Sequence, residues 1–277
     1  MADADCQFDR LFTISVPHIL ERIFFSLDYD SFMSSRKVSK AWNELHSCES
    51  YQQRREELLV EKLEKAWKKE INERKLCKYS YEGNVEEVKN LLSYGVNPNC
   101  EHIQVPWGRT PWTPILHAAA EGNVEVVKLL LDAGADANVV HVVEGDTPLH
   151  KAIFNGGKRQ HVVQLLLDGG ADCNKADKRG EYPLHWAALR GRPEVVKKLL
   201  DAGAHLDVAN IYGYTPLYRA VKCGHLAVVY MLLQAGADPN ITDNLGRSPH
   251  EVTGDKNIVQ LLLEAGAEAK RKRVKYM

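Results

Sequence analysis

Residues 112–138 read WTPILHAAAEGNVEVVKLLLDAGADAN, and the rest of the chain is organised by returns of that phrase. It comes back as DTPLHKAI…VVQLLLDGGADCN from Asp146, as EYPLHWAALRGRPEVVKKLLDAGAHLD from Glu181, and as YTPLYRAVKCGHLAVVYMLLQAGADPN from Tyr214. Thr113 and Thr147 lie 34 residues apart, Thr147 and Tyr182 lie 35 apart, and Thr215 and Ser248 follow at steps of 33. Self-similarity at such a period means stacked supersecondary units rather than one closed core.

Each unit has its own grammar. In Thr147-Pro148-Leu149-His150 the threonine is placed to cap a helix, and proline sits in the first turn, where a missing N–H costs nothing. Small pairs such as Ala118-Ala119 and Ala187-Ala188 let helices approach closely, and runs such as Val126-Val127-Lys128-Leu129-Leu130-Leu131 carry a broad apolar face. Gly134, Gly170, Gly203, Gly236 and Gly266 fall where a left-handed turn is expected to end a helix. These residues resemble the ankyrin repeat. The resemblance covers residues 76–268, with four good units and two degenerate ends, about 76–97 and 246–268. It implies a turn, two antiparallel helices and a β-hairpin-like finger loop per unit, with the motif histidines bonding neighbouring turns. It also implies a concave surface that binds another protein.

Some departures carry information. Leu116 occupies the usual histidine position, with His117 one residue later. Tyr218 occupies it in the fifth unit, which puts that turn's hydrogen bonds in question. The third unit carries extra residues around 156–160. The finger from Asn99 to Thr113 is the longest and contains Pro106, Trp107, Arg109 and Trp112. Exposed tryptophans call for something to cover them.

Residues 14–48 are written differently. ISVPHILERIFFSLDYDSFMSSRKVSKAWNEL has Leu20, Ile23, Phe24 and Leu27 at helical spacing, an acidic turn at Asp28 and Asp30, then Phe32, Arg36, Val38, Trp42 and Leu45. This resembles an F-box, with Val16-Pro17 for the family's Leu-Pro and Phe32 for a leucine. The resemblance implies docking on the Skp-type adaptor of a cullin–RING ubiquitin ligase. Pro17, Leu20, Ile23, Leu27, Val38 and Trp42 would form or support the docking face. The alternative is that the same residues pack a small helical cap. Residues 1–13 are expected to be disordered.

Residues 49–75 contain no Gly or Pro, and Leu59, Leu63, Trp67 and Ile71 fall four apart, predicting a connector helix that runs on into the first repeat through Leu76 and Tyr79. It would either fix the distance between a captured target and the ligase or simply pack on the first repeats. The expected fold class is therefore all-α: a three-helix F-box, a helical connector and an ankyrin-repeat solenoid.

In ankyrin arrays the finger tips and the exposed side of the first helices line the binding groove. By position the candidates for target contact are Trp107, Arg109, Trp112, Phe154, Arg179, Trp186, Arg190, Tyr212, Tyr214 and Arg219, with Glu144, Asp146, Lys178, Glu181, Leu189, Ile211 and Lys222 beside them. Aromatics and arginines most often dominate interfaces. The centre leans basic, which favours a target with an acidic segment.

Net charge is -1, so bulk electrostatics argue for neither nucleic acid nor membrane. The six cysteines are scattered and no signal peptide is visible, which points to reduced thiols in the cytosol or nucleus. The basic run Lys270 to Lys275 is compatible with nuclear import or with a solvated helix end. His150 and His185 belong to the repeat motif, while His161, His205 and His225 fall at expected turns without ligand partners. No phosphate-binding loop, nucleophile elbow or HExxH occurs, so a non-enzymatic chain without metal or cofactor is expected.

Overall fold

The computed structural model describes residues 53–102, 111–155 and 160–275, with side chains over 61–102, 111–154 and 160–266. Residues 14–48, Trp107 and Arg109 lie outside the described residues, as does most of the 156–160 insertion. The chain divides into two compact units, Met1–Ile71 and Asn72–Met277. The described residues of the first are helical. The second is a stack of helix pairs.

Helix α1 (Gln53–Glu82) extends past the predicted connector, as the absence of Gly and Pro suggested. Its last turns serve as the first helix of the first repeat, where Leu76, Cys77 and Ser80 are buried. Helix α2 (Val85–Ser93) follows, started by Asn84, whose side chain accepts the Glu87 N–H at 3.2 Å. The pairs α3 (Pro114–Glu121) and α4 (Val124–Asp132), α5 (Pro148–Asn155) and α6 (Gln160–Asp168), α7 (Pro183–Leu189) and α8 (Pro193–Asp201), and α9 (Pro216–Lys222) and α10 (Leu226–Gln234) are the full repeats. A 3-10 turn (Pro249–Glu251) and α11 (Lys256–Lys275) complete the stack. His161 thus lies within α6, one residue into the helix, not at a turn.

Helices this short are marginal in isolation, so packing must hold them. The second helices bury the same register in every unit: Val126, Val127 and Leu130, then Val162, Val163 and Leu166, then Val195, Val196 and Leu199, then Val228, Val229 and Leu232. Facing them, Ala118-Ala119 and Ala187-Ala188 are fully buried. Truncating one such side chain, for example Leu166→Ala, costs about 2–5 kcal/mol.

The expected left-handed glycines hold at Gly134, Gly170, Gly203 and Gly236, all with φ between 84° and 98°. Gly266 is different: it lies inside α11, which continues through the basic run to Lys275. Its surroundings, rich in Ala, Glu, Lys and Arg, favour helix.

Among the described residues the fingers are tight turns rather than strands, and the one β-bridge pairs His102 with Trp112. Neighbouring fingers are nevertheless joined by their backbones. Lys178 N–H donates to Glu144 O, Ile211 N–H to Arg179 O and Asn244 N–H to Tyr212 O, each at 3.1 Å. That approach explains Gly213: its φ is +78°, and a Cβ there would lie 2.7 Å from Asn244 N.

Candidate protein-binding face

Three polar devices set the geometry of the finger side. Inside the last three finger turns one side chain gathers backbone N–H groups. Asp177 accepts from Arg179 and Glu181, Asn210 from Tyr212 and Tyr214, and Asp243 from Leu245 and Arg247. Below the second helices, asparagines clamp one repeat to the next. Asn138 donates to Gly170 O at 2.8 Å and accepts from Asp172 N–H at 2.7 Å, and Asn99 and Asn174 do the same with their neighbours.

The third device is a ladder of buried side chains. His150 Nδ1 accepts the Thr147 N–H at 3.1 Å, which leaves the proton on Nε2, donated to Glu181 O at 3.1 Å. His185 accepts from Tyr182 N–H and donates to Tyr214 O at 2.8 Å in the same way. Burial lowers both imidazoles to about 4, so both are neutral near pH 7. Tyr218 keeps the next rung: its hydroxyl donates to Asp243 Oδ2 at 2.6 Å. The displaced His117 does not, because among the described residues its buried Nε2 has no hydrogen-bond partner.

On this frame Arg179 stands exposed at its finger tip, and the other described contact candidates form three clusters. Trp112 packs between His117 and His141, with ring centroids at 5.0 and 5.2 Å, and Lys151 Nζ lies 5.0 Å from its ring centre. Lys151 is itself held by Glu144 at 2.6 Å and Asp146 at 2.7 Å. The cover that Trp112 demanded is therefore internal. In the second cluster Phe154 meets Trp186 edge to face at 5.2 Å, and Arg190 stacks 4.0 Å over Phe154. In the third, Tyr214 stacks on Tyr218 at 4.6 Å and lies 5.8 Å from Tyr212, with Lys222 and Arg219 over its ring at 4.6 and 5.0 Å.

Two groove expectations change. Glu181 and Asp146 are buried rather than presented to a target. Glu181 forms an ion pair with Arg219 and accepts from Asn210 Nδ2 at 2.7 Å, so Arg219 is largely committed within the array. One exposed group escaped the sequence reading: Leu245, at the last finger tip, is 75% exposed. Its position 33 residues after Tyr212, at a turn already seen to recur, was the available signal.

The description "Ankyrin repeats (3 copies)" belongs to a family model that matches residues 76–177 and 155–243, more than half of the chain. The chain belongs to the ankyrin-repeat family. Ankyrin repeats mediate protein–protein interaction, and ankyrin-repeat proteins are generally non-enzymatic interaction scaffolds. No curated protein matches the chain. Among the described residues of this ankyrin array, no three His, Cys, Asp or Glu side chains converge as metal ligands, and no helix is long and apolar enough to cross a membrane.

Proposed function

We propose that this ankyrin-repeat chain is a substrate receptor of a cullin–RING ubiquitin ligase. Residues 14–48 dock a Skp-type adaptor, and the finger face holds the target while ubiquitin is transferred to it. The observation that carries this reading is the pattern from Val16-Pro17 through Leu20, Ile23 and Leu27 to Val38 and Trp42, on the same chain as a protein-binding array. A box of about 40 residues is too small to be robust alone, so an apolar face completed by a partner fits its size. The chain positions its target and takes no covalent part in the transfer.

The test is a pull-down of the tagged full-length chain beside a Pro17→Ala, Leu20→Ala variant, with bound proteins identified by mass spectrometry. Adaptor and cullin recovered with the wild type alone support the reading. If neither form recovers the adaptor, the ligase role falls and the chain is an ankyrin scaffold.

A further inference from the structure

The first rung of the buried ladder is a thiol. His150 donates to Glu181 O, the carbonyl just before the Tyr182 cap of α7. In the first repeat Cys77 does the same work: its Sγ donates to Trp112 O, just before the Thr113 cap of α3, at 3.7 Å. An imidazole in this place is inert to oxidants that convert a thiol.

A second thiol stands beside the first. Cys100, on the loop after α2, donates to Glu73 O at 3.6 Å. Glu73 O is also the carbonyl to which α-helical geometry assigns the Cys77 N–H. Cys100 therefore reaches the turn of α1 that carries Cys77, and the two thiols are in hydrogen-bond contact. Both belong to the buried core, at 0% and 4% exposure.

Neither carbonyl depends on its thiol. Trp112 O also accepts the His102 N–H at 3.1 Å, and Glu73 O keeps its helix bond. Loss of both S–H groups leaves the two acceptors paired, so it avoids the penalty of a buried unsatisfied group. In a disulfide the sulfurs close to about 2 Å, a short step from contact.

We propose that Cys77 and Cys100 are a dithiol that hydrogen peroxide closes to a disulfide, stapling α1 to the loop after α2. One thiolate attacks a peroxide oxygen, breaking the O–O bond, and becomes a sulfenic acid as one water leaves. The second thiol attacks that sulfur, forming the S–S bond as another water leaves. Each sulfur gives up one electron, and the peroxide takes both. Residues 77–100 then form a closed loop that contains α2, so the staple holds the first repeat together. Burial and a scarce Cys77 thiolate make the step slow, which keeps the dithiol form at rest until oxidant persists.

The test exposes the folded, reduced full-length chain to hydrogen peroxide, blocks remaining thiols with N-ethylmaleimide in denaturant, and digests with trypsin without reduction. The expected product is peptide 76–78 joined to peptide 90–109, separated again by dithiothreitol. Hydrogen exchange in α2 should slow by roughly tenfold in the oxidised chain and recover on reduction. Cys100→Ser treated in the same way should show no slowing. The exposed Cys223 reports that oxidant was sufficient. Maleimide on both Cys77 and Cys100 after Cys223 has oxidised would overturn the proposal. So would joined peptides that form only in urea, or joined peptides with unchanged or faster exchange in α2.

Discussion

The Tyr218 hydroxyl donates to the Asp243 carboxylate at 2.6 Å, bridging the last full repeat to the finger that follows it. The sequence departs from the family's histidine here, yet the rung survives with a different acceptor. Asp243 also binds Arg247 and two backbone N–H groups, so one carboxylate joins the turn to the helix before it. Burial, with the bond to Asp243, pushes the Tyr218 phenol well above its ordinary value. Tyr218→Phe keeps the stack on Tyr214 and removes only the hydroxyl. It should lower stability by about 2 kcal/mol, the range for a hydrogen bond to a charged group. Urea melts would show this as a lower midpoint, while the exposed Tyr230→Phe should leave the midpoint in place. Equal midpoints for wild type and Tyr218→Phe would mean that the bond contributes nothing.

Acid should loosen the array through its histidines. His117, His150 and His185 are lowered from 6.5 to about 4, chiefly by burial. The unfolded chain therefore binds protons that the folded chain refuses between those values. Stability is fully present above about pH 6.5 and is lost as pH falls towards 4, by about 1 kcal/mol per histidine between pH 6.5 and 5.5. Melting temperature measured across this window should fall steadily, and less steeply in a His117→Gln variant. A flat profile would contradict the neutral ladder.

The thiols should divide by depth. Cys77, Cys100 and Cys173 are buried, and Cys223 is exposed. Cys77 is raised well above its ordinary value by its hydrogen bond with Cys100 and then by burial, so its thiolate is scarce. In a Cys6→Ser, Cys48→Ser background, brief maleimide treatment of the folded protein should add one adduct, mapped to Cys223 by mass spectrometry. Rapid labelling of Cys77 or Cys100 would show that the start of the array opens readily.

The asparagine clamp can be dissected at one site. Asn138→Ala removes both the donor to Gly170 O and the acceptor of Asp172 N–H, at a cost of roughly 1–2 kcal/mol. Asn138→Asp keeps the acceptor, as Asp207 does for Asp238 N–H at 3.0 Å. The aspartate variant should retain hydrogen-exchange protection at the Asp172 amide, and the alanine variant should lose it. Identical protection in both would remove the clamp from the account.

The backbone of the array was legible because its signals are local. Proline in the first turn, the valine and leucine register of the second helices and the turn glycines each act within a few residues of themselves. Gly266 misled because its phrase matches the others, while the Ala, Glu, Lys and Arg around it carry α11 on through it. The contact face was harder to read. Whether Glu181 faces solvent depends on Arg219, 38 residues away, and Lys151 is claimed by Glu144 and Asp146. Pairing of long polar side chains across repeats leaves no periodic mark in a sequence. The exposed aromatic and basic residues were found because the finger positions themselves recur.

Direct binding of the adaptor is the most decisive measurement. A purified Skp-type adaptor is titrated into the purified full-length chain in a calorimeter, beside the Pro17→Ala, Leu20→Ala variant. The account predicts saturable one-to-one binding by the wild type that the variant loses, while both forms melt at the same temperature. No heat with the wild type, or equal binding by the variant, would contradict it.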